Sequence, residues 1–364
     1  MIELRPVVFV LGILLSVLAV AMVIPAIVDA LVGHPDWQVF TASAGTSLFV
    51  GVSMILTARS GWTSFSLRQA FLLTNLAWLV IAVFGALPFA FSELELSVTD
   101  AFFESMSGVT TTGATVIVGL DHAPPGILLW RAILQWLGGI GIIVMAVAVL
   151  PMLQVGGMQL FRVEAFETDK VLPRAAQIAG GIGIVYVSLT AFAAVVLWLL
   201  GMTGFEAVAH AMTSIATGGF STSDASLAHF DSAAIDWSIC GFMVLGSMPF
   251  VLYLRMVRGN LKVILHDSQV RWLFAILIAA IALTAGWLWL KDIMGPDASL
   301  RYAAFNVISI MTGTGYTTAA FDTWAASPWC SCSCSCSSAA APARPPAASR
   351  SSASRCSTPR RWRS

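Results

Sequence analysis

The chain has 364 residues, of which 58% are hydrophobic and only 10% charged. Soluble domains carry about 25% charged residues, so this composition excludes a water-facing globular surface and makes lipid the expected surroundings. Basic and acidic side chains number 19 each, a formal net charge of zero that lacks the basic footprint of a nucleic-acid partner.

A spanning helix needs about 20 mostly apolar residues. Runs that meet this are 7–32, 39–58, 69–91, 126–150, 176–200, 233–257 and 272–290. The first is too long for a signal peptide and is followed by no small-residue cleavage site, so it is read as an anchor. Lysine and arginine then set the orientation. Arg5, the loop with Arg59 and Arg68, the loop with Arg162, Lys170 and Arg174, and the loop with Arg255, Arg258, Lys262 and Arg271 share one side. The other side carries Asp36, Glu93, Glu95, Asp121, Asp224, Asp231, Asp297 and Asp322 against Lys291 and Arg301 alone. The basic face, with the N-terminus, is therefore expected in the cytoplasm. This parity requires residues 98–120, 204–225 and 300–320 to enter and leave on the outer face as re-entrant hairpins. Among the cysteines, Cys240 stands alone in an apolar run, while Cys330, Cys332, Cys334, Cys336 and Cys356 lie near the C-terminus, so no disulfide framework is expected.

The three hairpins resemble one another. They read TDAFFESMSGVTTTGAT (99–115), FEAVAHAMTSIATGGFS (205–221) and RYAAFNVISIMTGTGYT (301–317), and align without gaps on Gly113, Gly219 and Gly315. Ala101, Ala207 and Ala303 then coincide, and Thr111, Thr217 and Gly313 fall in register. Such internal symmetry decides architecture before anything else does. Irregular backbone at membrane depth is tolerated only where it lines a wet cavity or is buried in protein. Glycine lets successive carbonyls point the same way, which a Cβ resists. A ring of such carbonyls replaces the hydration shell of a potassium ion, and short helices ahead of the loops aim their negative ends at the pore. The competing reading is that small residues merely let helices approach closely. Three copies in one register on one side weigh against it.

The segments VTDAFFESMSGVTTTGATVIVGLD, WRAILQWLGGIGIIVMAVAVLPMLQVGGMQL and HAMTSIATGGFSTSDAS resemble the TrkH/KtrB/HKT superfamily of potassium transporters, most closely its bacterial TrkH branch, over roughly residues 1–325. The resemblance implies an all-α polytopic membrane protein with two leading helices, then span–pore helix–filter loop–span repeats around one pore. In these terms residues 1–66 hold the leading helices, 67–154 the first repeat, 155–175 a cytoplasmic linker, 176–259 the second repeat and 260–328 part of a third. It implies potassium as the transported ion and no bound cofactor. Thr111, Thr112 and Gly113 would form the first filter strand, Thr217, Gly218 and Gly219 the second, and Gly313, Thr314 and Gly315 the third. The third, TGTGY, is nearer to a potassium-channel filter than the AGF form common in the family. Further implications are a homodimer in the bacterial inner membrane, symport, and a cytosolic nucleotide-binding regulatory subunit, TrkA-like, docked on the basic face.

Asp100, Glu104 and Glu206 could draw cations to the outer mouth; for Asp100 and Glu206, complementing the helix dipole while facing water is at least as good a reading. Arg131 and Gln135, four apart in one span, are expected to face the interior, with Arg131 paired. His210 shares the register of Glu104 and is read as a packed, hydrogen-bonded histidine. Gly138, Gly139 and Gly141 follow no strand, so close helix packing explains them better than dinucleotide binding.

The character changes at Trp329, where a Cys–Ser alternation gives way to a Ser/Ala/Pro/Arg-rich stretch, 329–364, of low complexity. With GC-rich codons, shifting the frame by two bases turns the Cys–Ser run into Val–Leu and residues 339–355 into a glycine-rich break followed by a basic stretch, a pattern similar to the family's. The expectation is a frameshift near residue 328, leaving three of four filter loops and a chain not competent for transport by itself. A secondary transporter using broken helices is the alternative function, but it would place charges at midplane half-helices, and these loops are neutral. An enzyme would need a nucleophile with its base or a metal set inside the spans; the interior offers Ser, Thr and Arg131 without paired His or Asp.

Overall fold

The computed structural model describes residues 4–59, 66–148, 171–257, 259, 266–319 and 324. Most of the expected linker, with Arg162 and Lys170, lies outside the described residues, as do Arg258, Lys262, Asp322 and the whole tail from 329. Among the described residues the fold is all helical.

Two long helices lead, α1 (Arg5–Val32) and α2 (Trp37–Ala58). The turn between them needs Gly33, whose φ of 79° closes α1 in the left-handed region, with Gly33 N–H on the Ala30 carbonyl and His34 N–H on that of Asp29. The helices cross with backbones almost touching. A Cβ on Gly12 would lie 2.7 Å from the Gly51 carbonyl oxygen, and one on Gly51 2.9 Å from that of Gly12, which is the small-residue packing that membrane helices use.

The segment expected as the first repeat forms α3 (Leu67–Gly85), α4 (Leu87–Phe91), α5 (Val98–Val109) and α6 (Pro125–Ala148). Ser66 and Gln69 form a capping box that starts α3, and Ser97 caps α5 by accepting from Asp100 N–H. The second comprises α7 (Val171–Leu199), α8 (Gly204–Ile215), α9 (Ala233–Ser247) and α10 (Phe250–Val257); the third contributes α11 (Ser268–Leu290) and α12 (Pro296–Thr312). Five helices among the described residues are long and apolar enough to cross a membrane, and a bent pair adds a sixth.

That bent pair corrects one expectation. The run 233–257 is not one straight span: α9 and α10 meet at 91°. Pro249 is the cause. It forces Met248 out of the helical region to φ −75°, ψ 148°, and it lacks the N–H that would continue the ladder. Tyr253 on α10 donates its hydroxyl to the Leu245 carbonyl (2.7 Å), whose other donor is the longer Met248 N–H (3.4 Å).

Among the described residues two large hydrophobic cores result, beside two smaller clusters around Leu11 and Leu288. One gathers Leu15, Met22, Phe40, Phe89, Trp130 and Leu134 from the first half, and the other gathers Ile182, Tyr186, Leu197, Phe242, Phe305 and Tyr316 from the second. Helix α6 serves both, since Trp130 and Leu134 sit in the first while Trp136 and Ile140 pack on the second. Outward apolar residues such as Val20, Leu31, Phe49 and Ile184 are well exposed, as a lipid-facing surface requires.

Candidate functional site: three converging Thr/Gly loops

Helices α5, α8 and α12 end alike. Thr112, Gly218 and Thr314 each donate their N–H to the carbonyl five residues back, on Ser107, Thr213 and Ser309, at 2.9, 2.8 and 2.9 Å. The turn requires a left-handed residue just before, and Thr111 (φ 55°), Thr217 (φ 51°) and Gly313 (φ 77°) occupy that place. A second left-handed residue follows after one ordinary one, at Gly113 (φ 80°), Gly219 (φ 78°) and Gly315 (φ 86°). Alternating handedness turns successive carbonyls toward one side of a strand, the arrangement a ring of backbone oxygens needs. A β-branched threonine in the left-handed region costs about 1–3 kcal/mol, so the surroundings must hold Thr111 and Thr217 in place.

The loops meet. A Cβ on Gly113 would collide with the Gly218 carbonyl oxygen and stand 3.5 Å from that of Thr314, and a Cβ on Gly219 would collide with the Thr314 carbonyl oxygen. Four of the nine expected strand residues, Gly113, Gly218, Gly219 and Thr314, thus meet where the three loops come together, and Thr111 and Thr217 occupy the matching turns. Thr112 and Thr314 tie their hydroxyls to Thr110 and Thr312, each at 2.8 Å. Gly313 and Gly315 lie at the margin: a Cβ on either meets nothing within 4 Å among the described residues.

Buried polar side chains brace the loops from behind, one register position serving all three. Glu104, His210 and Asn306 are 0%, 0% and 3% exposed. Glu104 accepts from the Thr115 hydroxyl (2.9 Å) and Val116 N–H (3.0 Å), the His210 Nε2 pairs with the Ser221 hydroxyl (3.1 Å), and Asn306 Nδ2 donates to the Thr318 hydroxyl (3.4 Å). Sequence reasoning paired Glu104 with His210 but missed Asn306, although a third polar residue at that register was there to be read.

Helix α6 stitches the first loop to the second. Arg131, 1% exposed, places Nε 2.8 Å from Glu104 Oε1, donates from Nη1 to the Ser221 carbonyl (2.8 Å), and lies over the Phe220 ring. The expectation of an inward, paired arginine is met. Glu104 is consequently not a charge at the outer mouth; it is buried against Arg131. Gln135 grips the second loop twice, donating from Nε2 to the Gly218 carbonyl (2.7 Å) and accepting Phe220 N–H (3.0 Å). Gly138 is required because its Cβ would enter the Val109 carbonyl, and Gly139 because its Cβ would press on Ala216; Gly141 meets only Trp78 at 3.8 Å. Asp100 and Glu206 take the plainer role, capping their own helices through Ser97 and Thr203.

The arrangement offers closely spaced main-chain oxygens on neutral loops, backed by rigid packing. Comparison with known proteins identifies the family. The family described as TrkH, cation transport protein, matches residues 36–332. The Trk system potassium uptake protein TrkI of Halomonas elongata is 42% identical over 327 residues, covering 88% of this chain and 66% of that protein. Trk system potassium uptake protein TrkH of Escherichia coli is 38% identical over 326 residues, covering 88% and 68%. The crystal structure of the potassium transporter TrkH from Vibrio parahaemolyticus superposes with a TM-score of 0.81 at 36% identity, covering 89% of this chain and 67% of that one. This chain thus spans about two thirds of the length of the relatives it matches. It belongs to the TrkH family of cation transport proteins.

Proposed function

We propose that this chain is a potassium-uptake subunit of the bacterial inner membrane, and that its three Thr/Gly loops lend backbone carbonyl oxygens to a dehydrated potassium ion. The observation that carries the reading is the mutual contact of Gly113, Gly218, Gly219 and Thr314 in loops of one repeated backbone form. A ring of backbone carbonyls can replace the hydration shell of a potassium ion, and Gln135, Arg131 and the Glu104/His210/Asn306 braces hold these loops. One oxygen is shared, since the Gly218 carbonyl also accepts from Gln135. The margin at Gly313 and Gly315 is where the rest of the ring belongs.

The same reading carries its partners. A second copy of the chain and a cytosolic nucleotide-binding regulatory subunit complete the assembly, the latter on the face that holds Arg59, Arg68, Arg255 and Arg271, with the N-terminus cytoplasmic. Coupling to a second ion as a symporter belongs to this proposal too.

The test transplants residues 99–115, 205–221 and 301–317 into the full-length Escherichia coli relative and measures rubidium influx in a potassium-requiring strain. The grafted protein supports influx, and Gly219→Ala in the graft abolishes it. Equal influx with and without that substitution contradicts the proposal.

A further inference from the structure

One brace differs among the three loops. Six residues before the aligned glycine, Ser107 donates its hydroxyl to the Ala114 carbonyl (2.5 Å) and Ser309 donates to the Tyr316 carbonyl (2.7 Å). Each acceptor immediately follows the glycine, so each loop is pinned to its own helix by the same short strut. In the second loop the donor position is Thr213 and the matching acceptor is the Phe220 carbonyl. Thr213 Oγ1 instead lies on its own helix, 2.9 Å from the Ala209 carbonyl. The group that reaches the Phe220 carbonyl comes from the third loop: the phenol oxygen of Tyr316 is 3.4 Å away and is also hydrogen-bonded to Thr213 Oγ1.

We propose that Tyr316 is a positioning residue for ion discrimination, its hydroxyl supplying across the loop boundary the brace that the second loop lacks. The inference rests on the reading of the loops as a cation filter and names the contact that sets the spacing of two strands. Proton accounting allows it. Each hydroxyl has one proton, so when Tyr316 donates to the Phe220 carbonyl the Thr213 proton goes to the Tyr316 oxygen and is not given to the Ala209 carbonyl that Thr213 Oγ1 also faces. Both side chains are buried, at 0% and 1% exposure, and the tyrosine ring packs 6.0 Å from that of His210, so the strut cannot swing into water. The spacing it controls is the tight one, where a Cβ on Gly219 would strike the Thr314 carbonyl. A hydroxyl is the whole difference between this tyrosine and a phenylalanine.

The experiment uses the full chain, purified in detergent, as wild type, Tyr316→Phe, Thr213→Val, Thr213→Ser and the Tyr316→Phe/Thr213→Val double variant. Thermal unfolding is followed in choline, then with rising potassium or sodium, and the ratio of the two half-saturating concentrations is taken. Tyr316→Phe lowers the preference for potassium over sodium about fivefold, the scale of one lost buried hydrogen bond. Thr213→Val does the same, the double variant is no worse than either single one, and Thr213→Ser restores the preference. Unchanged preference in Tyr316→Phe, or additive losses in the double variant, overturns the proposal. Should wild type show no ion-specific stabilisation, the filter reading fails instead. The strut is then judged in choline alone, where additive melting-temperature losses refute it and non-additive ones uphold it.

Discussion

Glu104 and Arg131 bind each other in full burial, at 2.8 Å and with 0% and 1% side-chain exposure. Removing one charge strands the other, which costs about 3–5 kcal/mol. Glu104→Gln is therefore expected to lower the melting temperature sharply, and adding Arg131→Gln should recover part of the loss; calorimetric unfolding in detergent checks both. Asp36, in the turn between α1 and α2, behaves differently. Burial pushes its carboxyl above the usual range, against the opposing pull of the Glu93 N–H and of His34. A raised folded-state pKa means that the native chain holds its proton more tightly, so this contribution to stability is full below the unfolded value and is lost as pH rises through the folded one. Asp36→Asn should remove that part of the pH slope, seen as a wild-type-minus-variant difference in melting temperature that falls as pH rises through the window. The Asp36 effect could not be read in advance, because it depends on burial that packing creates, opposed by a hydrogen bond from Glu93, 57 residues away. The inward pairing of Arg131 was legible from its type alone, since a bare guanidinium in a span is too costly. Its partner was not, because Glu104 looked equally suited to the pore mouth.

At the scale of elements, the repeat was legible because a gapless register of threonine, glycine and alanine needs no contact information. Helices α5, α8 and α12 fall where the hairpins were expected, and their caps are local chemistry: Ser97, Thr203 and the Pro296 first turn. The α9–α10 break was hidden by the opposite circumstance. Residues 233–257 are apolar throughout, and hydropathy cannot see an angle; Pro249 was the one local signal. The bend is held by two contacts. A Cβ on Gly246 would stand 2.6 Å from the Ile215 carbonyl at the end of α8, and Tyr253 donates its hydroxyl to the Leu245 carbonyl. Gly246→Ala is expected to destabilise the fold by about 1–3 kcal/mol through overpacking against backbone, and Tyr253→Phe by about 1 kcal/mol. Denaturation of each variant against wild type measures both; a neutral Gly246→Ala would mean that α9 does not rest on α8.

Across the whole molecule, two cores share α6, and the loops converge beside that shared helix. This placement lets Arg131, Gln135, Gly138 and Gly139, all from one helix, hold the first and second loops together. The third is held by Tyr316 and by the 226–230 turn, where Leu227 N–H bonds the Thr317 carbonyl and Thr317 N–H the Ser226 hydroxyl. None of these cross-links was visible in the sequence, because each joins residues brought together only by the packing of helices far apart in the chain. The central claim is that backbone oxygens at this meeting point hold a dehydrated monovalent cation. Titration calorimetry of the purified chain with potassium, rubidium, sodium and choline chlorides tests it most directly. The account predicts saturable heat with potassium and rubidium, weaker heat with sodium, none with choline, and none with any ion after Gly219→Ala. Potassium heat that survives Gly219→Ala unchanged, or its absence from the wild-type chain, would contradict it.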